Sequence, residues 1–198
     1  MLMLGIHSII RRRRYPKPIG IFTPVKCPNL LQRIFGASQP RQKLVTDITY
    51  LFVGRQRYYL AAIVDLFNNQ VVSYHLSDSP DLRLVLITLG KWLDKEKDVQ
   101  GAIVHSDQGA TYTSPLYSNV LKRHGIIQSM SPPGSPLDNA PMESFLGHLK
   151  CEAIYPNDIR SFEELQSIVD EYIVFYNHER PQCRLNGCAP VEFLNECA

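Results

Sequence analysis

Three acidic residues stand where carboxylates are unusual, and metal binding is the chemistry they could share. Asp47 lies inside the apolar and β-branched run KLVTDITYLFV, Asp107 directly follows GAIVHS, and Glu143 adjoins an apolar helical stripe. Burying an unpaired charge in a strand is costly, so each position needs a reason. Taken singly, Asp47 could pair with a buried arginine, Asp107 could begin a turn, and Glu143 could be a solvated helix residue.

Together the three carboxylates predict a site for divalent cations. If the strands before Asp47 and Asp107 are neighbours and the helix of Glu143 packs across their ends, the side chains converge. Oxygen ligands favour Mg²⁺, with Mn²⁺ as a substitute. Two such ions about 4 Å apart can activate an attacking oxygen and stabilise the leaving oxygen of a phosphodiester. Lys150, two turns after Glu143, would then contact a phosphate, and Gly147 would leave room for the DNA strand.

The surrounding pattern predicts an α/β fold with the element order β-β-β-α-β-α-β-α-α. Three strands joined by short turns indicate an antiparallel meander, and the later alternation indicates a mixed five-stranded sheet with helices on both faces. Serine caps mark three predicted helix starts: Ser79 before a proline, Ser114 before a proline, and Ser161 in a capping box with Glu164.

The net charge of +2 conceals a division along the chain. Residues 1–43 hold nine of the 21 basic residues and none of the 19 acidic ones, which leaves 12 basic and 19 acidic residues elsewhere, a balance of −7. The run Arg11, Arg12, Arg13 and Arg14 lies in this basic segment. Such a segment is typical of a tail that contacts nucleic acid or anionic lipid, and a solvated linker is the alternative.

Export and membrane insertion are not expected. No apolar run approaches the roughly 18 residues of a membrane span. The order of MLMLGIHSII before RRRR is the reverse of a secretory signal, so a cytoplasmic protein is expected. The five cysteines include no Cys-x-x-Cys pair, and the spacing of His178, Cys183, Cys188 and Cys197 matches no common zinc module.

Several motifs in order resemble the transposases of the IS3 family of bacterial insertion sequences. They are VTDITYL, VDLFNNQVVSYHLS, HSDQGATYTS, QSMSPPGSPLDNAPMESFLGHLKCE and YNHERPQCRLNGCAPVEF. The resemblance runs from about Gln39 to Phe193, and the 35 residues between Asp107 and Glu143 match the spacing of the family's D,D(35)E triad. It implies a ribonuclease H-like integrase catalytic core.

The resemblance also implies roles for these residues and a reaction. Asp47 would bridge two metal ions, Asp107 and Glu143 would each hold one, and Lys150 would contact DNA near the cleaved end. Water would cut DNA at the element's ends, and the freed 3′-OH would attack another phosphodiester. The implied partners are element-end and target DNA, bound by a homo-oligomer in the bacterial cytoplasm.

The chain departs from the family at three places. Leu44 replaces a usual tryptophan, and Pro132 and Pro133 replace a basic stretch beside the site, which should weaken the grip on DNA. Residues 1–38 are expected to form a basic, largely extended arm without the family's helix-turn-helix, and residues 39–198 the catalytic core with a C-terminal helix and tail. A separate polypeptide could then supply recognition of the element's ends.

Two other functions stay open at this point. The chain could be a truncated, catalytically idle fragment that binds DNA or a partner transposase. It could also be a ribonuclease H-like nuclease acting on RNA–DNA hybrids, since a fold alone does not specify a substrate. The C-terminal motif YNHERPQ favours the transposase over this nuclease.

Overall fold

A computed structural model describes residues 23–197, which form one mixed sheet with helices on both faces. The strands are β1 (Lys43–Val53), β2 (Gln56–Asp65), β3 (Val71–Ser77), β4 (Ile103–Ser106) and β5 (Ile127–Met130). The helices are α1 (Leu82–Leu93), α2 (Pro115–Arg123), α3 (Ala140–Leu149), α4 (Phe162–His178) and α5 (Pro190–Cys197). The predicted fold class is confirmed.

The strand order is β3-β2-β1-β4-β5, so the first and fourth strands are neighbours as predicted. β1, β2 and β3 pair antiparallel, whereas β4 runs parallel to both β1 and β5. The carboxyl ends of β1, β4 and β5 therefore lie at one edge. That edge is where loops and helix ends gather functional groups in open α/β sheets.

Two hydrophobic clusters cover the two faces of the sheet. On one face, α3 and α4 pack against odd-numbered residues of β1 such as Val45 and Leu51. On the other, α1 and α2 pack against even-numbered Leu44, which is fully buried, so the family's usual tryptophan is replaced by a smaller side chain inside a packed core. The alternation follows from the two-residue period of a strand.

The predicted apolar stripe of α3 is confirmed. Met142, Phe145, Leu146 and Leu149 are all buried against the sheet. A 3₁₀ turn, Pro136–Asn139, directly precedes α3. After Leu149 the helix continues as a π-helical segment, Lys150–Ile154. The apolar side of α3 thus packs on the sheet, and its polar side, with Glu143, faces the sheet edge.

The helix starts were predicted with one error. The Ser114 and Ser161 hydroxyls accept hydrogen bonds from Leu116 and Glu164, as their caps require. For α1 the cap is Asp81 and not Ser79, because the Asp81 carboxylate accepts from the Leu84 N–H at the first turn. Ser79 and Asp81 are both good capping residues and lie two positions apart, so the sequence pattern alone could not distinguish them.

Residues 23–38 have little regular structure but are attached to the core. Leu31 is 1% exposed and belongs to the cluster under α3 and α4. Val25 donates a backbone hydrogen bond to Thr113, and the Pro28 carbonyl accepts one from Met130. The division of the chain after residue 38 stays a prediction, and Arg11 to Arg14 lie outside the described residues.

The tail contains one helix that the sequence reading did not identify. α5 has Pro190 at its first turn and packs against α4. The proline at a helical first position was the available signal. No helix among residues 23–197 combines the length and apolar character needed to cross a bilayer.

Candidate active site

A cleft of about 500 Å³ opens at the sheet edge and is lined by Asp47, Asp107 and Glu143 together. Its position follows from strand lengths. The β1–β4 pairing ends at Val45 and His105, so Asp47 and Asp107 each stand two residues beyond the last pair of their neighbouring strands. α3 crosses this edge and contacts β1. Three acids separated by 60 and 36 positions in the chain are thereby brought to one cleft.

Asp47 lies on β1 opposite Ala62 of β2 and is partly buried. Its Oδ1 accepts a hydrogen bond from the Ile48 N–H at 2.7 Å. The pKa of Asp47 is raised to about 6, chiefly by burial and also by the negative charges of Asp107 and Glu143, while the Ile48 hydrogen bond and Lys150 act in the opposite direction. The pKa of Asp47 therefore depends on both other carboxylates, as expected for like charges in one site.

Asp107 is exposed at the end of β4, and its side chain folds over the backbone that follows. Its Oδ1 accepts a hydrogen bond from the Gly109 N–H at 2.8 Å. A Cβ at position 109 would lie 2.9 Å from the same oxygen, closer than real Cβ contacts come. Glycine at this position therefore lets the carboxylate keep its orientation.

Glu143 is exposed in the first turn of α3. Within residues 23–197 its carboxylate accepts no hydrogen bond and forms no salt bridge, so both oxygens are available to a ligand. Gly147 follows one turn later with nothing within 4 Å of its position for a side chain. The helix surface from Glu143 to Gly147 is thus open to an approaching molecule.

Lys150 is half-buried at the end of α3 and is not among the residues that line the cleft. Its Nζ lies 5.0 Å from the centre of the Tyr50 ring. Burial lowers the pKa of Lys150, and the nearby Asp47 charge raises it. The lysine is therefore attracted to the acidic site and is held beside an aromatic ring.

The loop after β5 closes one side of the cleft. The buried His105 ring bonds to Ser129 through Nδ1 and to Ser131 through Nε2, both at 2.8 Å, and this network fixes the base of the loop. Burial lowers the pKa of His105 below its ordinary value, and the nearby Asp138 opposes this shift. Pro132 and Pro133 are exposed along the cleft.

Asn139 is a site residue that the sequence reading missed. It lines the cleft, is 5% exposed, and neither its amide nitrogen nor its amide oxygen has a hydrogen-bond partner among the described residues. Buried polar atoms are normally paired, so this amide is a candidate contact for a bound molecule. The preceding residue, Asp138, is tied to Asn29 and Arg33.

The YNHERPQ motif lies behind α3 and clamps it to the sheet. The Tyr176 ring packs edge-on against Phe145 with centroids 5.0 Å apart. Arg180 makes a bidentate ion pair with Glu152, which also accepts from the Tyr172 hydroxyl at 2.8 Å. The motif therefore supports the helix that carries Glu143 from the side opposite the cleft.

Of the zinc set considered in the sequence, Cys188 lies with Glu192 and Glu196 along α5. Glu192 accepts a hydrogen bond from the Ala189 N–H before the helix, and the Cys188 thiol contacts Glu196 in its last turn. This group is distant in sequence from the three acids of the cleft.

Comparison with known proteins agrees with the motifs. The integrase core domain family matches residues 37–136, and a second integrase core domain family matches residues 124–190. A protein of Escherichia coli K12 described as a transposase, InsK, of insertion sequence element IS150 is 40% identical over 98% of this chain and 68% of its own length. A transposase-like protein of Haemophilus influenzae is 43% identical over 99% of this chain and 90% of its length.

Further relatives come from IS3 itself and from retroviral structures. Transposase InsF of insertion sequence IS3A from Escherichia coli K12 is 37% identical over 85% of this chain and 59% of its length. The catalytic core domain of bovine immunodeficiency virus (BIV) integrase has a TM-score of 0.62 at 19% identity, covering 79% of this chain and 95% of that one. The simian T-cell lymphotropic virus intasome has a TM-score of 0.68 at 15% identity, covering 90% of this chain and 60% of that one.

At these identities the viral structures establish the fold alone, a retroviral integrase-type, ribonuclease H-like core. The sequence relatives and the family matches establish more, because InsK and the Haemophilus influenzae protein are 40% and 43% identical over nearly the whole chain and the two family models together span residues 37–190. The chain therefore belongs to the IS3-family transposases of bacterial insertion sequences, which carry an integrase core domain.

Proposed function

We propose that this transposase core cuts DNA at the ends of its element and joins them to target DNA, with Asp47, Asp107 and Glu143 as its catalytic carboxylates. One observation carries the proposal: these three acids line one cleft, and the pKa of Asp47 is raised to about 6, in part by the other two. Perturbed carboxylates in a cleft are typical of catalytic sites. Their D,D(35)E spacing agrees with the family.

The donor set fits divalent cations, which the family uses. Asp47 and Asp107 each spend one oxygen on a backbone N–H and keep the second oxygen without a hydrogen bond, and Glu143 keeps both. Three carboxylates face one lysine, an excess of negative charge that a hard cation would neutralise. Asp47, Asp107 and Glu143 would hold two Mg²⁺ ions, with Mn²⁺ as a substitute.

The chain's own residues define the rest of the mechanism. Bound Mg²⁺ ions supply activation of the attacking oxygen and charge neutralisation at the leaving oxygen. Lys150 contacts the phosphate beside the scissile bond, and the buried Asn139 amide donates to DNA. In strand transfer the 3′-OH oxygen forms a bond to phosphorus as the target P–O3′ bond breaks, so the cysteines take no part.

The partners follow from the same site. Element-end and target DNA occupy the cleft, and a homo-oligomer of the chain brings two ends together in the bacterial cytoplasm. Arg11, Arg12, Arg13 and Arg14 contact the phosphate backbone without reading sequence.

The test is cleavage and joining of labelled oligonucleotides with Mg²⁺ or Mn²⁺. The parent protein forms nicked or joined products, and Asp47→Asn forms none, because a metal-binding carboxylate is lost. Asp158→Asn serves as the matched control, since Asp158 is an exposed carboxylate in a salt bridge with Arg160 outside the cleft. Equal product from parent and Asp47→Asn, or none from the parent with Mn²⁺, would rule out the enzyme.

The alternative functions give different products in the same assay. An idle fragment binds DNA without cutting it under any metal. A ribonuclease H-like nuclease cuts an RNA–DNA hybrid in preference to a DNA duplex. The intact set of three carboxylates argues against the first, and the near-complete match to transposases argues against the second.

A further inference from the structure

The hairpin of β1 and β2 extends past the rest of the sheet and exposes two aromatic rings. β1 pairs with β4 only as far as Val45, whereas its pairing with β2 continues to Val53. In this extension, Leu51 points into the core and its even-numbered neighbours point to solvent. Tyr50 is 52% exposed and Phe52 is 48% exposed.

These rings and one arginine form a continuous surface, here called the aromatic platform: Tyr50, Phe52 and Arg57. The two rings meet edge to face with centroids 5.5 Å apart. Arg57 is paired opposite Phe52 across the hairpin, and its guanidinium carbon lies 5.2 Å from the Tyr50 ring centre and 5.5 Å from that of Phe52. Such contacts order the side chains while leaving about half of each ring exposed.

The platform is positively charged and adjoins the cleft. Arg55 and Arg57 are the only charged residues between Ile48 and Val64. Within residues 23–197 neither arginine forms a salt bridge, and neither does Lys150. The Lys150 ammonium contacts the Tyr50 ring and also interacts electrostatically with Asp47. Lys150 therefore connects the platform with the acidic residues of the site.

We propose that the aromatic platform binds unpaired nucleotides of DNA beside the scissile phosphate, with bases stacked on Tyr50 and Phe52 and phosphates held by Arg57 and Lys150. This inference rests on the proposed DNA-cutting function. Exposed aromatic rings interleaved with unpaired basic residues are the combination that binds single-stranded nucleic acid. A base inside a duplex has both faces stacked, so a platform of this kind selects strands that are frayed or splayed at the end.

The charge of the surface favours DNA over a protein partner. A second copy of the chain would have to bring its own acids against Arg55, Arg57 and Lys150, and would leave the adjoining cleft without a substrate path. Single-stranded DNA satisfies both requirements, because its backbone is uniformly anionic and Lys150, which contacts the Tyr50 ring and interacts with the charge of Asp47, links the platform to the acidic site. The size of the patch, two ring faces beside one arginine, suits one or two nucleotides.

Fluorescence anisotropy of labelled oligonucleotides tests the proposal. Two DNAs of equal length are compared in metal-free buffer, one blunt and one with a short unpaired 3′ end. The full-length parent protein prefers the unpaired end, and Tyr50→Ala lowers affinity for it by about tenfold while changing blunt-duplex affinity by less than about twofold. A 2-aminopurine base in the unpaired end is quenched by the parent and not by Tyr50→Ala.

Two variants control for unfolding and for aromatic content. Tyr50→Trp keeps a stacking ring and retains the preference, and Phe175→Ala removes an exposed ring on α4 without changing it. Equal loss for both DNAs in Tyr50→Ala, or no loss for either, overturns the proposal. A change in oligomeric state with unchanged DNA affinity also overturns it and assigns the surface to a protein contact. Because no metal is present, the result is independent of whether the protein cuts DNA.

Discussion

The two sides of α3 are built in opposite ways. On the cleft side, Glu143 accepts no hydrogen bond from the residues that the structure describes, and none of their atoms lies within 4 Å of where a side chain of Gly147 would stand. The opposite side, which faces the YNHERPQ motif, is here called the clamp side. There Phe145 packs on Tyr176. Glu152, just beyond the helix, accepts three hydrogen bonds from Arg180 and one from Tyr172. One helix thus carries a satisfied structural side and an unsatisfied side that a ligand would complete.

The contrast separates two kinds of carboxylate by their electrostatics. The pKa of Glu152 is lowered by its hydrogen bonds from Arg180, whereas the pKa of Asp47 is raised by burial and by two like charges. The fold stabilises the charged form of Glu152. It destabilises the charged form of Asp47, and a bound cation would offset that destabilisation.

The largest expected effect is loss of activity on the cleft side. Glu143→Gln should lower the rate of DNA cleavage by on the order of 10³-fold or more, because the amide cannot replace a metal-binding carboxylate. Its thermal stability should stay at or above that of the parent. Glu163→Gln, an exposed acid in the first turn of α4, is the matched control and should cut DNA at the parent rate.

The next effect is on stability and has a defined pH window. The pKa of Asp47 is about 6 in the folded protein against an ordinary value of 3.8. An acid whose pKa is higher in the folded protein than in the unfolded chain lowers the free energy of unfolding as the pH rises above its unfolded-state pKa. For Asp47 the full loss is reached above about pH 6. Asp47→Asn should therefore stabilise the metal-free protein by about 3 kcal/mol near neutral pH and by less than about 1 kcal/mol near pH 4.

Urea unfolding followed by the fluorescence of Trp92, the single and fully buried tryptophan, measures this difference. Asp158→Asn should show no such pH-dependent gain. Added Mg²⁺ should raise the unfolding midpoint of the parent and not of Asp47→Asn. A variant that is less stable than the parent at neutral pH would contradict the origin assigned to the raised pKa.

A smaller effect is expected on the clamp side. Arg180→Ala should cost about 1 kcal/mol of stability, since it removes a bidentate pair that is partly shielded from solvent. Cleavage should fall less than about tenfold, because the carboxylates of the cleft remain. Arg160→Ala is the control: its pair with Asp158 is about 80% exposed on both sides, so no measurable loss is expected. Equal losses in the two variants would remove the distinction.

The smallest effect separates helix stability from DNA contact. Gly147→Ala and Gly90→Ala both add a methyl group to a helix where nothing lies within 4 Å, so each should gain about 0.5–1 kcal/mol of stability. Only Gly147→Ala should weaken DNA binding, because only Gly147 lies between Glu143 and Lys150. Paired measurements of unfolding and DNA affinity would show it, and equal affinities would place the DNA strand elsewhere.

Much of the fold was readable from local pattern. The β1 run, the stripe on α3 and the serine caps of α2 and α4 depend on neighbours within a few residues, and all were predicted correctly. The cap of α1 was misassigned to Ser79 because Asp81, two positions later, is an equally good capping residue. α5 was not identified, although Pro190 at its first turn was a signal for it. The position of residues 23–38 was not readable, because it depends on contacts such as Leu31 with the core.

The amino-acid sequence by itself determined which side chains could do chemistry: three acids in unusual settings, their spacing, and a lysine two turns beyond one of them. Those features are local, and the resemblance they carry is a property of order along the chain. Only the tertiary structure decided that β1 outruns β4, that Asn139 faces the cleft unpaired, and that Lys150 meets Tyr50. These depend on strand register and helix crossing, which arise from packing between segments far apart in the chain.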